Sequence, residues 1–423
     1  MKVRIPGRQT LNGTIDAPGS KAYTHRALLA SLMTKGRTSI LGPSWCDDTR
    51  RTLGAIQALG AETSIENRNV VSEGVGEVSP EFSVSIDCGD SGTTLRLLAA
   101  VAATSPRWIG LNISSGLAQR PIAPLLKSIV DLGGSVDDSH GESQIRVKGP
   151  LQGGETWIQG NVSSQFISGL LFAAPLAQRD VTVHVTEQLQ SRPYVEMTID
   201  VLDKHGIKIF KSEDNFHVPA PQEYQPAFHK VPGDFSSASF LIAGAVIAGD
   251  EVTINGLNSH SFEPDGVILK LLDDIGVETR SNGDSLTVGK SHMRAFKFDA
   301  SDNPDLVPPL QLLASFADGE SEITGVSRLR FKESNRLESL PAELVKLGAK
   351  IAVDNDRIKV HGTEELRGSI LNSRGDHRVA MTCSVAAIAA QGESDIYNAE
   401  VVSKSYPEFF KDLTALGVEL DVE

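Results

Sequence analysis

Six times along the 423-residue chain, a Ser or Asp opens a long stretch of small and aliphatic residues. The openers are Ser20, Ser91, Ser163, Asp234, Asp305 and Asp376, at steps of 71, 72, 71, 71 and 71 residues. Behind them run HRALLASL, LRLLAAVAA, FISGLLFAAPLA, FLIAGAVIAG, LVPPLQLLASFA and VAMTCSVAAIAA. A fixed period of this length marks a repeated supersecondary unit. Each unit has a second marker, a Gly that ends an amphipathic helix: Gly60, Gly133, Gly206, Gly276, Gly348 and Gly417. The first helix of each unit is apolar nearly all round and so predicts burial on every side. The second, as in RRTLGAIQALG or EFFKDLTALG, predicts a surface position. With β-like runs such as VTVHV and IKVHG between them, the unit reads as strand, buried helix, strand, outer helix, then one or two strands.

Length alone allows roughly three domains of ~150 residues. Units of about 70 residues look too small to bury their own apolar helix, so two groups of three is the expected arrangement. No apolar run reaches the ~18 residues that span a bilayer, and MKVRIPGRQT lacks a signal-peptide core, so a cytoplasmic location is expected. Cys46, Cys88 and Cys383 sit at no metal-ligand spacing and suggest no disulfide framework. A net charge of −14 argues against nucleic acid as a partner, which needs a basic footprint. Anions must therefore be held by a local cluster of cations.

The openers carry different residues. Ser and Asp are good N-caps, and a helix N-terminus offers unpaired N–H groups and partial positive charge. If the six ends converge, they suit several anionic groups. In PGSKAYTHR, Lys21 follows the cap Ser20 and Arg26 lies a little over one turn on. A cation at a positive helix end is misplaced unless an anion joins it; otherwise Lys21 is an ordinary surface lysine. GDSGTTLR brackets Ser91 with Gly89 and Gly92, a loop that permits close approach of a ligand or simply turns the chain. Ser163, Ser164 and Gln165 offer hydrogen bonds to a cyclitol-like ligand, or cap their helix. Asp305 by itself reads best as an N-cap. In FKESNR, Glu333 beside Lys332 and Arg336 is either a solvated ion-pair network or a carboxylate held for proton transfer. GDHR places His377 and Arg378 at another helix start, and QRP and SKSYP add Arg120 and Lys404. Misplaced cations in register with one repeat point to a site for more than one anion.

These motifs, PGSK…HR, GDSGTTLR, QRPI, SSQF, SRPY, GDFSSASF, PD, FKESNR, GDHRVAM and SKSYP, occur in order from end to end. In that combination the chain resembles the 5-enolpyruvylshikimate-3-phosphate synthase family. The resemblance implies an α/β fold of two pseudo-symmetric domains, each of three βαβαββ repeats, the inside-out α/β barrel of enolpyruvyl transferases. It implies a discontinuous domain I of 1–17 and 232–423, with domain II as 18–231 and the active site in the interdomain cleft. The chain is expected to leave domain I just after its first strand, with crossings near Ala17–Pro18 and Val231–Pro232. The implied reaction moves the enolpyruvyl group of phosphoenolpyruvate to the 5-hydroxyl of shikimate 3-phosphate and releases phosphate through a tetrahedral intermediate. Lys21, Gly92, Arg120, Gln165, Arg336, Arg378 and Lys404 would hold phosphoenolpyruvate. Lys21, Arg26, Ser163, Ser164, Gln165, Ser191, Tyr194, Asp305 and Lys332 would hold shikimate 3-phosphate. Lys21, Asp305, Glu333, His377 and Lys404 are the implied proton-transfer candidates. No metal or organic cofactor, no membrane and a monomer are implied.

A charge count agrees. The two phosphates and two carboxylates of the ligand pair bring about −5 to −6 near neutral pH. Lys21, Arg26, Arg120, Lys332, Arg336, Arg378 and Lys404, set against Asp305 and Glu333, give +5. Such a site repels itself when empty, so closure of the two domains on shikimate 3-phosphate is expected. Two positions depart from the family pattern. Ala22 stands where a Ser usually follows the lysine, so that the hydroxyl's role is either unfilled or taken by a neighbour such as Thr24. Leu97 stands where Pro often follows GDSGTTLR, which bears on sensitivity to glyphosate-like inhibitors. The nearest rival is UDP-N-acetylglucosamine 1-carboxyvinyltransferase, whose family typically has Lys-Asn in the first motif and a Cys five residues before its loop arginine. Here those positions are Lys21-Ala22 and Ser115.

Overall fold

The computed structural model describes residues 1–139, 143–258 and 263–423. The chain divides into two compact units, Met1–Pro18 with Pro232–Glu423, and Gly19–Val231. Each has its own hydrophobic core: one runs from Val3 and Phe235 to Val418, the other from Tyr23 to Val231.

The repeat is visible in both units. The inner helices are Lys21–Met33, Gly92–Ala102, Ser164–Ala173, Phe235–Ala248, Val307–Phe316 and His377–Ala389. They are sheathed almost completely; every residue of Phe235–Ala248 is buried, as an all-apolar surface requires. The amphipathic helices, such as Asp47–Ala58 and Arg192–Lys204, bury one face only. All six marker glycines take positive φ, from 76° to 103°, as the residue after a helix commonly does. Among the described residues there are six four-stranded sheets, each with one parallel pair and two antiparallel pairs. In the second repeat Val84–Gly89 runs parallel to Ile109–Ile113, which pairs with Gln144–Lys148, which pairs with Ser135–Asp137. The inner helix lies between the first two strands and the outer helix between the second and third, giving βαβαββ.

Two sheets are completed from far away in sequence. Phe228–Lys230, at the end of the second unit, supplies the first strand of the sheet begun by Lys35–Leu41. Lys2–Ile5 inserts between Ser394–Tyr397 and Asp421–Val422 and so finishes the last repeat. Leu11–Asp16 then opens the fourth repeat beside Gly249–Asn255. Two strands, rather than the single one expected, therefore precede the crossing into the other unit. A further set of glycines lets the sheets close on the inner helices. A Cβ added at Gly74, Gly149 or Gly362 would stand 2.0, 1.8 or 1.8 Å from a carbonyl at an inner helix C-terminus (Ser31, Ala103, Ala317).

Five of the six openers cap their helices. The side chains of Ser20, Ser91, Ser163, Asp234 and Asp376 accept backbone N–H groups of Tyr23, Thr94, Gln165, Ser237 and Arg378. The sixth does not. Asp305 lies inside a 3₁₀ turn, Pro304–Leu306, ahead of the helix Val307–Phe316, so the reading of Asp305 as an N-cap is corrected. Consecutive prolines at 308 and 309 fill the first turn, where their missing N–H groups need no cap. The Asp305 carboxylate thus serves a purpose other than capping. Among the described residues no helix is long and apolar enough to cross a membrane.

Candidate active site

In the Gly19–Val231 unit, Lys21, Gly92, Ser163, Ser164 and Gln165 lie at the N-terminal ends of three inner helices, knitted by side chains, while Arg120 lies on a connecting segment and Ser191 and Tyr194 at the start of an outer helix. Lys21 reaches Asp48, its Nζ 2.9 Å from Oδ2. Thr94 donates to the Asp48 carbonyl at 3.3 Å and shares a 2.7 Å hydrogen bond with the cap Ser91. Beside it, Thr93 accepts from Gln165 Nε2 at 2.9 Å. The other end of Gln165 accepts from Arg96 Nη1 at 3.0 Å, and Arg96 Nη2 donates to the Pro121 carbonyl at 3.0 Å. Arg120 lies over the first residue of its neighbouring helix: a Cβ at Gly92 would be 3.1 Å from the Arg120 Cζ. Glycine there is what lets the guanidinium approach the helix end.

Arg26 differs from what a purely ligand-facing residue would show. It is 2% exposed, and its guanidinium donates to Thr198 Oγ1 (2.8 Å), the Ala22 carbonyl (2.8 Å) and the Tyr194 carbonyl (3.0 Å). It ties the helix Lys21–Met33 to Arg192–Lys204 and holds Tyr194 in place. Ser191, just before that helix, has φ 54° and ψ 38°, a left-handed conformation that a non-glycine residue keeps only when its surroundings enforce it. Thr24 cannot stand in for a hydroxyl at position 22. It is buried, donates to the Ser20 carbonyl at 2.7 Å and accepts from Ser44 N–H at 2.9 Å. Leu97 is 2% exposed, facing the core, and Gly169 of the next inner helix lies against its backbone.

The other unit gathers its candidates around Asp305. Oδ1 pairs with Lys332 Nζ at 3.2 Å and Arg336 Nη1 at 3.0 Å; Oδ2 pairs with Arg378 Nη2 at 3.2 Å. Arg336 is 1% exposed and also binds Glu333 at 2.8 Å and Asp376 at 2.7 Å. Asp376 joins two tasks: it caps the helix through Arg378 N–H at 2.9 Å and anchors Arg336. His377 is buried, with Nδ1 3.8 Å from Asp376 Oδ1. Lys404 ends the 3₁₀ segment Ala399–Lys404, which packs on the helix His377–Ala389.

The charges of this cluster are strongly coupled. Burial pulls the Lys332 ammonium down to about 8, against the opposing pull of Asp305. Burial also works against the Arg336 charge, but Asp376, Glu333 and Asp305 outweigh it and hold the guanidinium well above its ordinary value. Glu333, Asp376 and His377 bring ligating atoms within 4.8 Å of one another, a spacing a divalent ion could use. Arg336 already donates to both carboxylates, so the cluster has its cation built in.

Asp305, Lys332, Glu333, Arg336, His377 and Arg378 are therefore brought together. Sequence reasoning missed Asp48, Arg96 and Asp376 as members. Asp376 was in view as a helix opener, and Arg96 closes the motif GDSGTTLR. Asp48, in a run of polar residues, gave no signal.

Comparison with known proteins agrees on one family. A family model described as EPSP synthase (3-phosphoshikimate 1-carboxyvinyltransferase) matches residues 5–413. The 3-phosphoshikimate 1-carboxyvinyltransferase of Methanocorpusculum labreanum is 37% identical over 420 residues, 99% of each chain. That of Methanocaldococcus jannaschii is 35% identical over 422 residues, covering 98% of this chain and 97% of its own. Two solved structures show the same fold. An EPSP synthase of Acinetobacter baumannii has a TM-score of 0.84 at 23% identity, over 100% of this chain and 99% of its own. The enolpyruvyl transferase NikO of Streptomyces tendae has a TM-score of 0.80 at 18% identity, over 99% and 98%. The fold is thus shared with both of these structures, while sequence identity along nearly the whole length shows the family: the chain belongs to the EPSP synthase (3-phosphoshikimate 1-carboxyvinyltransferase) family.

Proposed function

We propose that this chain performs its family's reaction, transfer of the carboxyvinyl group of phosphoenolpyruvate to the 5-hydroxyl of 3-phosphoshikimate with release of phosphate. The observation that carries the residue assignment is Asp305. Not engaged in capping, its carboxylate stands among Lys332, Arg336 and Arg378, all within 3.2 Å. A carboxylate there can orient the hydroxyl and take its proton, while the cations hold the acidic ligands.

In the first half of the reaction, Glu333, entering as the neutral acid rather than as the carboxylate paired with Arg336, gives its proton to the methylene carbon of phosphoenolpyruvate. The adjacent carbon becomes cation-like, and the substrate's 5-oxygen attacks it as its proton passes to Asp305. In the second half, Lys21, acting as the neutral amine after its proton has passed to Asp48, removes a proton from the new methyl group. The carbon–oxygen bond to phosphate breaks, the double bond re-forms, and phosphate leaves with the bonding pair. Lys21, Gly92, Arg120, Gln165, Arg336, Arg378 and Lys404 hold phosphoenolpyruvate. Lys21, Arg26, Ser163, Ser164, Gln165, Ser191, Tyr194, Asp305 and Lys332 hold 3-phosphoshikimate, Arg26 acting in part by fixing Tyr194. His377 and Lys404 complete the proton-transfer set. Positioned donors and fixed charge supply the catalysis, with no cofactor in the scheme. Both substrates are phosphorylated metabolites of the cell interior, which supports a cytoplasmic enzyme. A core complete within each unit supports a monomer.

The test is phosphate release from phosphoenolpyruvate with 3-phosphoshikimate, on wild type and on Lys21→Met. Turnover by wild type and a loss of at least about a hundredfold in the variant are expected. An inactive wild type, or an equally active variant, would refute the reading.

A further inference from the structure

Behind Asp305 lies a second carboxylate that the reaction scheme does not use. Asp265, in the 3₁₀ turn Pro264–Val267, is 0% exposed. A carboxylate taken wholly out of water is costly to keep unless its surroundings answer it. Asn303 and Ser236 do so, and each leads to a site residue. Asn303 Nδ2 donates to Asp265 Oδ1 at 3.0 Å and to the Pro264 carbonyl at 2.8 Å. Asn303 is also the residue from which the Asp305 turn starts, so this amide staples the two turns together. Ser236, on the helix Phe235–Ala248, hydrogen-bonds Asp265, and its Oγ accepts from Arg378 Nη2 at 2.8 Å. Since the hydroxyl accepts from the arginine, its proton is the one directed at Asp265. Arg378 in turn pairs with the Asp305 carboxylate at 3.2 Å and donates to its carbonyl at 3.3 Å.

We propose that Asp265 is a positioning residue for the transfer reaction, holding Arg378 through Ser236 and the Asp305 turn through Asn303, and that its negative charge, not only its shape, is required. The proposal rests on the roles of Arg378 and Asp305 under Proposed function. It gives the buried charge two effects. Through Ser236 it completes a chain of charge and hydrogen bonds that aims the Arg378 guanidinium. Directly, as a like charge, it makes Asp305 harder to ionise and so a stronger base. Of the groups that act on Asp265, Asp305 and Arg378 carry charge, while Asn303 and Ser236 do not. Its turn packs on the helix Phe235–Ala248, which carries no charged residue, and on Ile268–Ile275, whose Lys270, Asp273 and Asp274 are exposed to solvent; Glu263, two residues before Asp265, is the other buried carboxylate of this segment. Burial first and Asp305 second push the Asp265 carboxyl up to about 6, as this coupling requires.

The experiment compares wild type, Asp265→Asn, Ser236→Ala and the double variant in steady-state phosphate release across pH. Asn keeps the shape and can still accept from Asn303, so a purely structural role leaves Asp265→Asn like wild type. The proposal expects its KM for phosphoenolpyruvate to rise on the order of tenfold, the worth of one charge-assisted hydrogen bond. It also expects the acid limb of kcat to move to lower pH by about half a unit, because Asp305 loses its like-charged neighbour. Ser236→Ala should raise that KM and leave the acid limb in place. The double variant should have a KM no worse than Asp265→Asn alone, as one chain demands. Unchanged KM and pH profile in folded Asp265→Asn overturns the proposal. Should that variant not fold, unchanged KM in Ser236→Ala overturns it instead. A wild type that releases no phosphate overturns the reaction itself, and this proposal with it.

Discussion

Replacing Asp305 with Asn removes one charge and changes two measurable quantities. The substitution keeps the shape of the side chain but withdraws the partner of Lys332, Arg336 and Arg378. A positioned base is worth about 10²–10⁴ in rate, so kcat should fall by at least about a hundredfold. The second effect runs through Lys332. Its ammonium is drawn down to about 8 by burial, and Asp305 is the leading group that holds it up. At 3.2 Å and an effective dielectric near 20, the bare attraction is about 5 kcal/mol. With Lys332 22% exposed and Arg336 opposing, solvent screening reduces this to on the order of one pH unit. Lys332 is cationic below its own value and neutral above it. Affinity for the phosphorylated ring should therefore weaken with rising pH from about 7 in the variant, against about 8 in wild type. The assay is phosphate release against 3-phosphoshikimate concentration at a series of pH values. A variant with kcat within about threefold of wild type and an unmoved KM profile would show that neither effect depends on this charge.

Other consequences follow from named contacts. Gly92→Ala places a methyl 3.1 Å from the Arg120 guanidinium, the movable end of a long side chain, so folding should survive. KM for phosphoenolpyruvate should rise several-fold with the melting temperature nearly unchanged; unchanged kinetics would remove Arg120 from that site. Asp234→Ala deletes a cap that accepts Ser237 N–H at 2.8 Å and should cost about 1 kcal/mol in urea unfolding. A loss as small as that of an exposed surface substitution would contradict the capping assignment. A third prediction concerns two buried histidines, His205 and His229, whose Nε2 atoms are 2.9 Å apart. Burial pulls them down to about 4 and about 3, with His205 and Lys204 adding to the effect on His229. The unfolded chain protonates both near 6.5, so their stabilising contribution is present above about 6.5 and is lost as pH falls toward 4. Stability should drop by a few kcal/mol from pH 7 to about 5, and His229→Gln should flatten that slope. An identical slope in the variant would assign the acid sensitivity elsewhere.

The repeat could be read from the sequence because its signals are local. A cap and its helix, or a helix and the glycine after it, lie within a dozen residues, so the period and the inner and outer helices were visible. Strand pairing across long separations had no such signal. Nothing in KVRI shows that it belongs between two strands nearly four hundred residues away. The same limit applies in the site. The residues at helix starts were legible as charges out of place, and Asp305, Lys332, Glu333, Arg336 and Arg378 do converge. Which carboxylate caps and which does not depends on the 3₁₀ turn that begins at Pro304. Likewise Thr24 looked able to replace a missing hydroxyl at position 22, but burial and two backbone partners commit it elsewhere. Asp48 and Asp265 gave no sequence signal, and Ser236 is visible only as part of GDFSSASF, because their roles exist only through neighbours brought by the fold.

The central claim is that these helix ends serve the joining of two phosphorylated acids. Phosphorus and proton NMR of the complete reaction, with phosphoenolpyruvate and 3-phosphoshikimate at equal concentration, tests it most directly. One phosphate should be released for each carboxyvinyl ether formed at the 5-hydroxyl, with the 3-phosphate retained, and no ether should form from UDP-N-acetylglucosamine. Ether formation on UDP-N-acetylglucosamine, or no coupling of phosphate release to ether formation, would contradict it.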